Sequence, residues 1–176
     1  LLNRYTLGGS IRFDGSDLFG VDKKYRYLPL YSVSALWRIS EEPFTENAKW
    51  LDNLVIRASY GLQGNIDKNT SPYLLGKYQS NATPILPGNT EDMIVVTSAP
   101  NDKLRWEKTH SVNVGLDFAV LNQAINLSVD YYYRKGVDLI GMQMLPLETG
   151  FSSTNINWAS MTNKGIEIGL STRNIH

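Results

Sequence analysis

The stretch LRWEKTHSVNVGLDFAVLNQAINLSVDYYYRKG, residues 104–136, decides the fold of this chain because it holds two long alternating segments joined by a short polar link. Apolar side chains recur at every second position from Val112 to Val120, and again from Ile125 to Tyr133. A period of two is typical of a β-strand, whose successive side chains point to opposite faces. The short link, 121–124, predicts that the two strands form an antiparallel hairpin.

The length of these two strands bears on which kind of sheet they belong to. Strands of globular proteins are usually about 5–6 residues long, whereas a tilted strand needs about 9–11 residues to cross a bilayer. Both segments reach the longer figure, and each has an aliphatic and aromatic face opposite a face of Asn, Ser, Asp and Arg. A soluble sheet would bury the apolar face, and a membrane barrel would turn it toward lipid.

Composition excludes several classes of protein. The 176 residues carry 17 Lys and Arg against 17 Asp and Glu, so nothing in the charge suggests a nucleic-acid partner. The absence of cysteine excludes disulfide scaffolds, thiolate metal sites and thiol nucleophiles. No apolar run approaches the roughly 18 residues of a membrane helix. The chain begins with Leu1 and has no basic-then-apolar leader, so we expect a mature fragment or an excised piece.

The same alternation predicts four more strands, at residues 4–14, 30–40, 53–64 and 162–173. The connections of the six predicted strands differ in length: the fourth is very short, the second (41–52) is intermediate, and three are long, at 15–29, 65–103 and 137–161. Bacterial outer-membrane barrels alternate long extracellular loops with short periplasmic turns. We therefore predict that 66–103 and 141–161 lie outside the cell, with Asn122 and Gln123 in the periplasm.

Aromatic residues on the apolar face fall into two rows. The row near the predicted outer ends contains Phe13, Tyr31, Tyr60 and Tyr133, and the row near the inner ends contains Tyr5, Trp37 and Phe118. Two aromatic girdles that flank an aliphatic band are typical of a barrel at two lipid–water interfaces. Core packing alone gives no reason for this sorting, so the pattern favours a membrane barrel over a soluble sheet.

Several stretches together resemble the SusC/RagA family of TonB-dependent outer-membrane transporters of Gram-negative bacteria. They are RYTLGGSIRFDGSDLFG (4–20), YSVSALWRISEEPF (31–44), LVIRASYGLQGN (54–65), 104–140, TGF (149–151) and NKGIEIGL (163–170), in the family's order. The resemblance implies an all-β fold, an antiparallel transmembrane β-barrel segment that supplies about six strands of a 22-stranded barrel. It implies that residues 1–176 are part of the barrel domain and that the plug domain is absent from this chain.

The resemblance also implies a function and a set of partners. The parent protein would be an outer-membrane nutrient importer that takes up oligosaccharides or peptides, with this chain forming wall and extracellular loops. Its partners would be a SusD-like surface lipoprotein, TonB acting through the plug, the cargo and the lipid bilayer. The chain departs from the family pattern because it has no plug, no TonB-contacting segment and no terminal aromatic residue, so the energising residues cannot be carried over. Six strands would also leave two unpaired edges.

An enzyme is the class of protein that the sequence supports least, and no cofactor or metal is expected. There is no nucleophile elbow, phosphate-binding glycine loop or zinc-binding helix motif. His110 lies near the outer end of its strand, where an interfacial ring is the plainer interpretation, because no cluster of ligating residues accompanies it. Asp14, Asp17 and Asp22 could gather around Ca²⁺, but their spacing does not fit an EF-hand and favours a solvated turn.

Charged residues on the polar face are the candidates for lining the lumen or contacting the plug. They are Arg12, Arg38, Arg57, Asp117, Asp130, Arg134, Glu167 and Arg173. Charge-assisted hydrogen bonds from such residues could hold a plug or line the path of the solute. The alternative is a wetted wall with no specific contact, and as a set the mixed signs suit a polar plug better than an ion of one sign.

Aromatic residues in the long outer connections are the candidates for binding cargo or a lid. They are Tyr73, Tyr78, Phe151 and Trp158. Flat rings there could stack on sugars or meet a lipoprotein, and packing within the loops is the alternative for each of them. Two other classes remain open at this point, a soluble β-sandwich that binds carbohydrate and an adhesion module built on the same sheet.

Overall fold

The computed structural model describes residues 3–18, 26–82, 91–96 and 98–173. Its strands are β1 (Tyr5–Gly15), β2 (Tyr27–Arg38), β3 (Leu51–Asn65), β4 (Gly76–Ala82), β5 (Glu91–Val96), β6 (Glu107–Val120), β7 (Ile125–Met144) and β8 (Ser153–Thr172). Short 3-10 turns lie at Ile39–Glu41, Pro43–Thr45 and Leu147–Thr149. Among the described residues, no helix is both long and apolar enough to cross a membrane.

Six of the strands form one antiparallel sheet in the order β1-β2-β3-β6-β7-β8, and β4 pairs with β5 alone. The predicted six-strand antiparallel order is therefore confirmed. The register aligns the apolar faces of all six strands, and one row across the sheet reads Tyr5, Trp37, Ile56, Leu116, Val129 and Ile168. Each neighbour pair along the row lies directly opposite, so the sheet has one continuous apolar face and one polar face.

The apolar face of the sheet is open rather than packed. Leu7 is 72% exposed, Ile11 69% and Ile168 70%, and no described residue covers them. A β-sandwich would bury this face beneath a second sheet. The second sheet that the described residues form is the small β4–β5 hairpin, which is inserted between β3 and β6. The sandwich alternative is therefore not favoured, and the face has the exposure that a lipid-facing wall requires.

The predicted long connection at 137–161 is wrong in extent, because β7 continues to Met144 and β8 begins at Ser153. Alternation fails around residue 138 because the pairing of β7 with β8 shifts register between Gly136 and Leu139. Asp138 in this interval has a left-handed backbone with φ of 57°. Such a bulge moves the side chains of the following residues to the opposite faces of the sheet. The alternation of apolar and polar residues is therefore interrupted there, although the strand continues. The connection at 65–103 likewise contains strands, β4 and β5.

One cluster of buried apolar residues lies at the predicted outer end of the sheet. Leu28, Leu30, Leu104 and Trp106 form the cluster, and Leu62, Ile66 and Ile140 pack against it. Leu104 is fully buried, and the Trp106 indole donates to the Arg26 carbonyl at 3.2 Å. This outer apolar cluster connects β2 to the segment that precedes β6, and it fixes the outer edge of the wall.

The turn at the other end of the β6–β7 hairpin is compact. Leu121, Asn122 and Gln123 all have left-handed backbones, with φ of 58°, 55° and 59°. The Gln123 amide donates to the Asp52 carboxylate at 2.9 Å, which ties this turn to the start of β3. Non-glycine residues rarely adopt this conformation, so hydrogen bonds of this kind are needed to hold it.

Candidate functional site: the polar wall and the outer rim

An arginine and two aspartates meet in the middle of the polar face. The Arg57 Nη2 donates to Asp117 Oδ1 at 3.1 Å and to Asp130 Oδ1 at 3.1 Å. Arg57 Nε lies 2.8 Å from Asp117 Oδ2 as an ion pair, although its N–H is not aligned for a hydrogen bond. We call these three residues the Arg57 triad. Their side chains are 36–42% exposed, so water screens the charges and the contacts contribute modestly to stability.

Gly115 makes room for the triad, because it is paired directly with Arg57 on one side and with Asp130 on the other. A Cβ added at this position would collide with the Asp130 carboxylate and lie 2.9 Å from Arg57 Nη2. The salt bridge thus passes over a strand that carries no side chain at the crossing point. Glu167 lies opposite Asp130 on β8, so the row across these strands has excess negative charge.

The remaining polar-wall candidates lie apart from the triad and make local contacts. Arg12 forms an ion pair with Asp14 at 3.0 Å on the same strand. Arg38 donates to the Asn3 carbonyl at 2.7 Å, and Arg173 donates to the Asn122 carbonyl at 3.2 Å. Arg134 lies over the Tyr132 ring, with 5.6 Å from Cζ to the ring centroid. The roles of all these residues as lumen lining or plug contacts stay predictions.

The acidic residues considered for Ca²⁺ are only partly described. Asp22 lies outside the described residues, and the Asp14 carboxylate forms an ion pair with Arg12.

The imidazole of His110 forms a hydrogen bond through Nδ1 with the Tyr60 hydroxyl at 2.9 Å, and the two rings stack with their centroids 6.3 Å apart. His110 is therefore in contact with an aromatic residue of the predicted outer girdle.

The loop aromatics are exposed, and among the described residues no ring contact joins them to one another. Tyr73 is 53% exposed, Tyr78 64% and Trp158 66%, whereas Phe151 is half-buried. Tyr78 is a strand residue of β4 that hydrogen-bonds Asp92, and Trp158 is a residue of β8 that lies against Gly141. The rings of Tyr78 and Trp158 are thus held on strands, whereas Tyr73 and Phe151 lie outside the strands.

Asn101 ties these outer segments together. Its backbone amide donates to the Pro72 carbonyl at 3.0 Å, and its side-chain amide donates to the Asn155 carbonyl at 2.8 Å. Pro72 precedes Tyr73, and Asn155 lies three residues before Trp158 along β8. One asparagine therefore links the segments that carry two of the predicted binding aromatics.

A second charge cluster, which sequence reasoning missed, braces the outer rim at the β7 bulge. Asp138 accepts from Arg105 Nη2 at 2.7 Å and lies 3.3 Å from Lys108 Nζ. Asn157 donates to the carbonyls of Arg105 and Asp138 at 2.7 and 2.6 Å. The hydrogen bond from Arg105, assisted by Lys108, holds the pKa of the Asp138 carboxyl below its ordinary value. We call Arg105, Lys108, Asp138 and Asn157 the rim clamp, and no local motif in the sequence signals it.

Glu42 was also missed, because it lies in the connection 41–52, which sequence reasoning described only as intermediate in length. It is 8% exposed and accepts hydrogen bonds from the Tyr5 hydroxyl and, at 3.0 Å, from Trp37 Nε1. Arg4 lies 3.4 Å away, and the Tyr5 and Trp37 rings stack at 6.2 Å. The hydrogen bonds from Tyr5 and Trp37 lower the pKa of the Glu42 carboxyl. Glu42 thus fixes two rings of the inner girdle.

Comparison with protein families and with curated proteins points to one class. The family model described as "TonB dependent receptor-like, beta-barrel" matches residues 1–173. The TonB-dependent receptor P26 of Formosa agariphila is 35% identical over 173 residues, which are 98% of this chain and 17% of the relative. The TonB-dependent receptor SusC of Bacteroides thetaiotaomicron is 34% identical over 179 residues, 99% of this chain and 18% of the relative. The chain therefore spans less than a fifth of the length of these relatives.

Solved structures give the same picture. The RagAB peptide importer in its "closed-closed" state matches with a TM-score of 0.79 and 28% identity, over 98% of this chain and 18% of that chain. The same importer in its "open-open" state matches with a TM-score of 0.75 and 29% identity, over 95% of this chain and 18% of that chain. The siderophore receptor PirA of Pseudomonas aeruginosa, at 16% identity and a TM-score of 0.60, shares the fold.

Proposed function

Because this chain belongs to the TonB-dependent receptor-like β-barrel family, we propose that it forms part of the barrel wall and outer loops of a nutrient importer. The observation that carries the proposal is the continuous, exposed apolar face that crosses all six strands of the main sheet. Opposite that face, the polar wall carries the Arg57 triad, as a water-filled or plug-filled lumen requires. Residues 1–176 would lie in the barrel domain, and the plug would be supplied from elsewhere in the parent protein.

The importer would reside in the outer membrane of a Gram-negative bacterium and draw energy through TonB. Its cargo class would be oligosaccharides or peptides, as the resemblance to the SusC/RagA family implies. One neighbour is named a peptide importer and one relative is named SusC, and both names support the resemblance from which this cargo class is taken. A SusD-like surface lipoprotein would cover the outer rim, where β7 and β8 extend for 20 residues each and so pass well beyond a lipid span of about 9–11 residues.

The outer aromatics would capture cargo or dock the lid. Tyr73, Tyr78 and Trp158 expose more than half of their surface on this rim, and stacked rings contribute roughly 0.5–1.5 kcal/mol each beyond the area they bury. The contacts of Asn101 hold two of the segments in a fixed relation, which lowers the ordering cost of binding.

The test is uptake by cells that express the parent protein with Tyr73→Ala, Tyr78→Ala and Trp158→Ala together. Fluorescent oligosaccharide and oligopeptide pools too large for passive pores serve as probes, with surface levels measured in parallel. We expect uptake of one pool to fall several-fold and to vanish when TonB is deleted. Phe44→Ala is the matched control, since Phe44 is 69% exposed in the connection at the opposite end. Normal uptake by the triple variant at normal surface level would exclude these residues as the capture site.

A further inference from the structure

The outward apolar face ends at the same level on three neighbouring strands. Below this level the outward positions of β7 read Ile125, Leu127, Val129, Tyr131 and Tyr133. The next outward position is Lys135, which pairs with His110 on β6 and with Thr162 on β8. On β8 the first charged outward residue is Lys164, which pairs with Tyr133. Two lysines therefore lie where the predicted outer girdle meets the headgroup region.

Lys135 and Lys164 are diagonal neighbours on one face of an antiparallel pair. Cβ atoms in such positions lie about 7–8 Å apart or less, within reach of long side chains, so both ammonium groups can converge on one anion. Both side chains are exposed, and neither forms an ion pair with a described residue. Lys108, the next cation toward the rim, is instead engaged by Asp138.

The site has positive charge without a compensating carboxylate. From the girdle inward, the outward positions that are paired between the six strands carry no Asp or Glu among the described residues. The carboxylates of Glu42 and Asp52 lie at the inner end of the sheet, where Tyr5, Trp37 and the Gln123 amide donate to them. At the inner end of this face, the outward positions are filled by Tyr5, Trp37, Leu54, Phe118 and Ile125. The cationic pair is thus confined to one end of the lipid-facing surface.

We infer that Lys135 and Lys164 form a binding site for the phosphorylated headgroup of a lipid in the outer leaflet. Lysine is a compact charge that binds phosphate well, and its stem can lie along apolar surface while the ammonium group reaches the headgroups. Tyr133, between the two lysines, and the hydrogen-bonded Tyr60–His110 pair form a flat aromatic border for the headgroup. The inference goes beyond import. It rests on the proposed orientation only where it assigns the bound lipid to the outer leaflet.

The experiment measures lipid binding by the purified, full-length parent barrel in native mass spectrometry. The probes are a bisphosphorylated lipid A and the same lipid with its phosphates removed. We expect Lys135→Gln with Lys164→Gln to weaken binding of the phosphorylated lipid by roughly thirty-fold, the factor for two cations at a charged headgroup layer. Binding of the dephosphorylated lipid should be equally weak for both proteins. Uptake of cargo is not measured, so the result is independent of the proposed transport.

Lys68→Gln with Lys103→Gln is the matched control, because both lysines are exposed in an outer connection and the charge change is the same. The double Arg variant at 135 and 164 should bind like the wild type, and heat modifiability checks that each barrel is folded. Single Gln variants replace the double variant if it does not fold, each with a several-fold loss expected. Unchanged binding by the Gln variants, or an equal loss in the control, would overturn the inference. So would displacement of the lipid by millimolar inorganic phosphate, which would indicate a simple anion site.

Discussion

At the scale of single residues, the Arg57 triad of the polar wall depends on Gly115, a position without a side chain. Gly115 lies between Arg57 and Asp130 in the register, and the salt bridge between them crosses above its Cα. Any larger residue would occupy the space of the Asp130 carboxylate. The triad therefore requires glycine at one position of β6, for steric reasons rather than for backbone conformation.

This argument predicts that Gly115→Ala displaces the Asp130 carboxylate from Arg57 and lowers the free energy of unfolding by up to about 1 kcal/mol, the contribution of an exposed ion pair. Gly61→Ala on β3 is the control, since Gly61 shares the polar face and its added Cβ would meet atoms only at 3.5 Å or beyond. We expect Gly61→Ala to change stability by less than about 0.5 kcal/mol or to raise it slightly. Urea unfolding of barrels refolded in lipid vesicles measures both, and equal losses would contradict the steric argument.

Asp138 gives a prediction about pH at the outer rim. Its pKa in the folded protein is lowered, so its contribution to stability is present above the ordinary pKa of about 3.9 and is lost as pH falls through the lowered value. Asp138→Asn should therefore speed amide exchange of Ile140 and its neighbours several-fold at pH 7, since it weakens the contacts with Arg105 and Lys108. Below the lowered pKa, the variant and the wild type should exchange alike. A difference that persists there would show that the charge is not the cause.

At the scale of elements, β8 shows why alternation carries the membrane argument. Ile166, Ile168 and Leu170 face one way and are 65–70% exposed, while Glu167 between them pairs opposite Asp130 on the polar side. Neighbouring residues of one strand thus belong to two different environments. Charged substitutions at neighbouring positions of β8 should therefore differ in their cost in folding free energy.

We predict that Ile168→Arg costs about 2–4 kcal/mol in lipid, because it places a charge near the middle of the bilayer. Glu167→Arg, one residue away, should cost less than about 1 kcal/mol because it faces the lumen. The measurement is the free energy of refolding into vesicles of defined thickness. Equal costs at the two positions would refute the lipid-facing assignment of this strand.

At the scale of the whole molecule, we predict the orientation in the membrane from the sizes of the two ends of the sheet. One end holds the tight 121–124 turn, and the other holds β4, β5, the rim clamp and the extended β7–β8 hairpin. Barrels of this class place short turns in the periplasm and long loops outside. The lipid site and the capture surface proposed above would then both face the cell exterior.

Cysteine labelling tests this orientation, and the chain itself contains no cysteine. Ser152→Cys, at the exposed end of the β7–β8 hairpin, should react with a membrane-impermeant maleimide on intact cells. Asn122→Cys, also exposed, should react only after the outer membrane is permeabilised. The reverse pattern would invert the orientation, whereas the strand pairing would be unaffected.

Sequence alone determined the features that depend on neighbouring residues. Alternation at Val112–Val120 and Ile125–Tyr133 predicts two strands and their two faces, because the pleat of a strand places successive side chains on opposite sides in any tertiary environment. The short link between these strands predicts their hairpin. The same reasoning placed Arg57, Asp117 and Asp130 on one face. Loop lengths and aromatic positions then favoured a membrane wall over a soluble sheet, and the soluble β-sandwich stayed open until the structure showed an exposed apolar face.

Tertiary structure decided what depends on register and on contacts between distant segments. Arg57 meets Asp117 and Asp130 across separations of 60 and 73 residues, and no local pattern encodes that pairing. The bulge at Asp138 hid the outer halves of β7 and β8, since one shift of register removes the alternation by which strands are recognised. The rim clamp and the outer apolar cluster exist only once that register has brought their strands together.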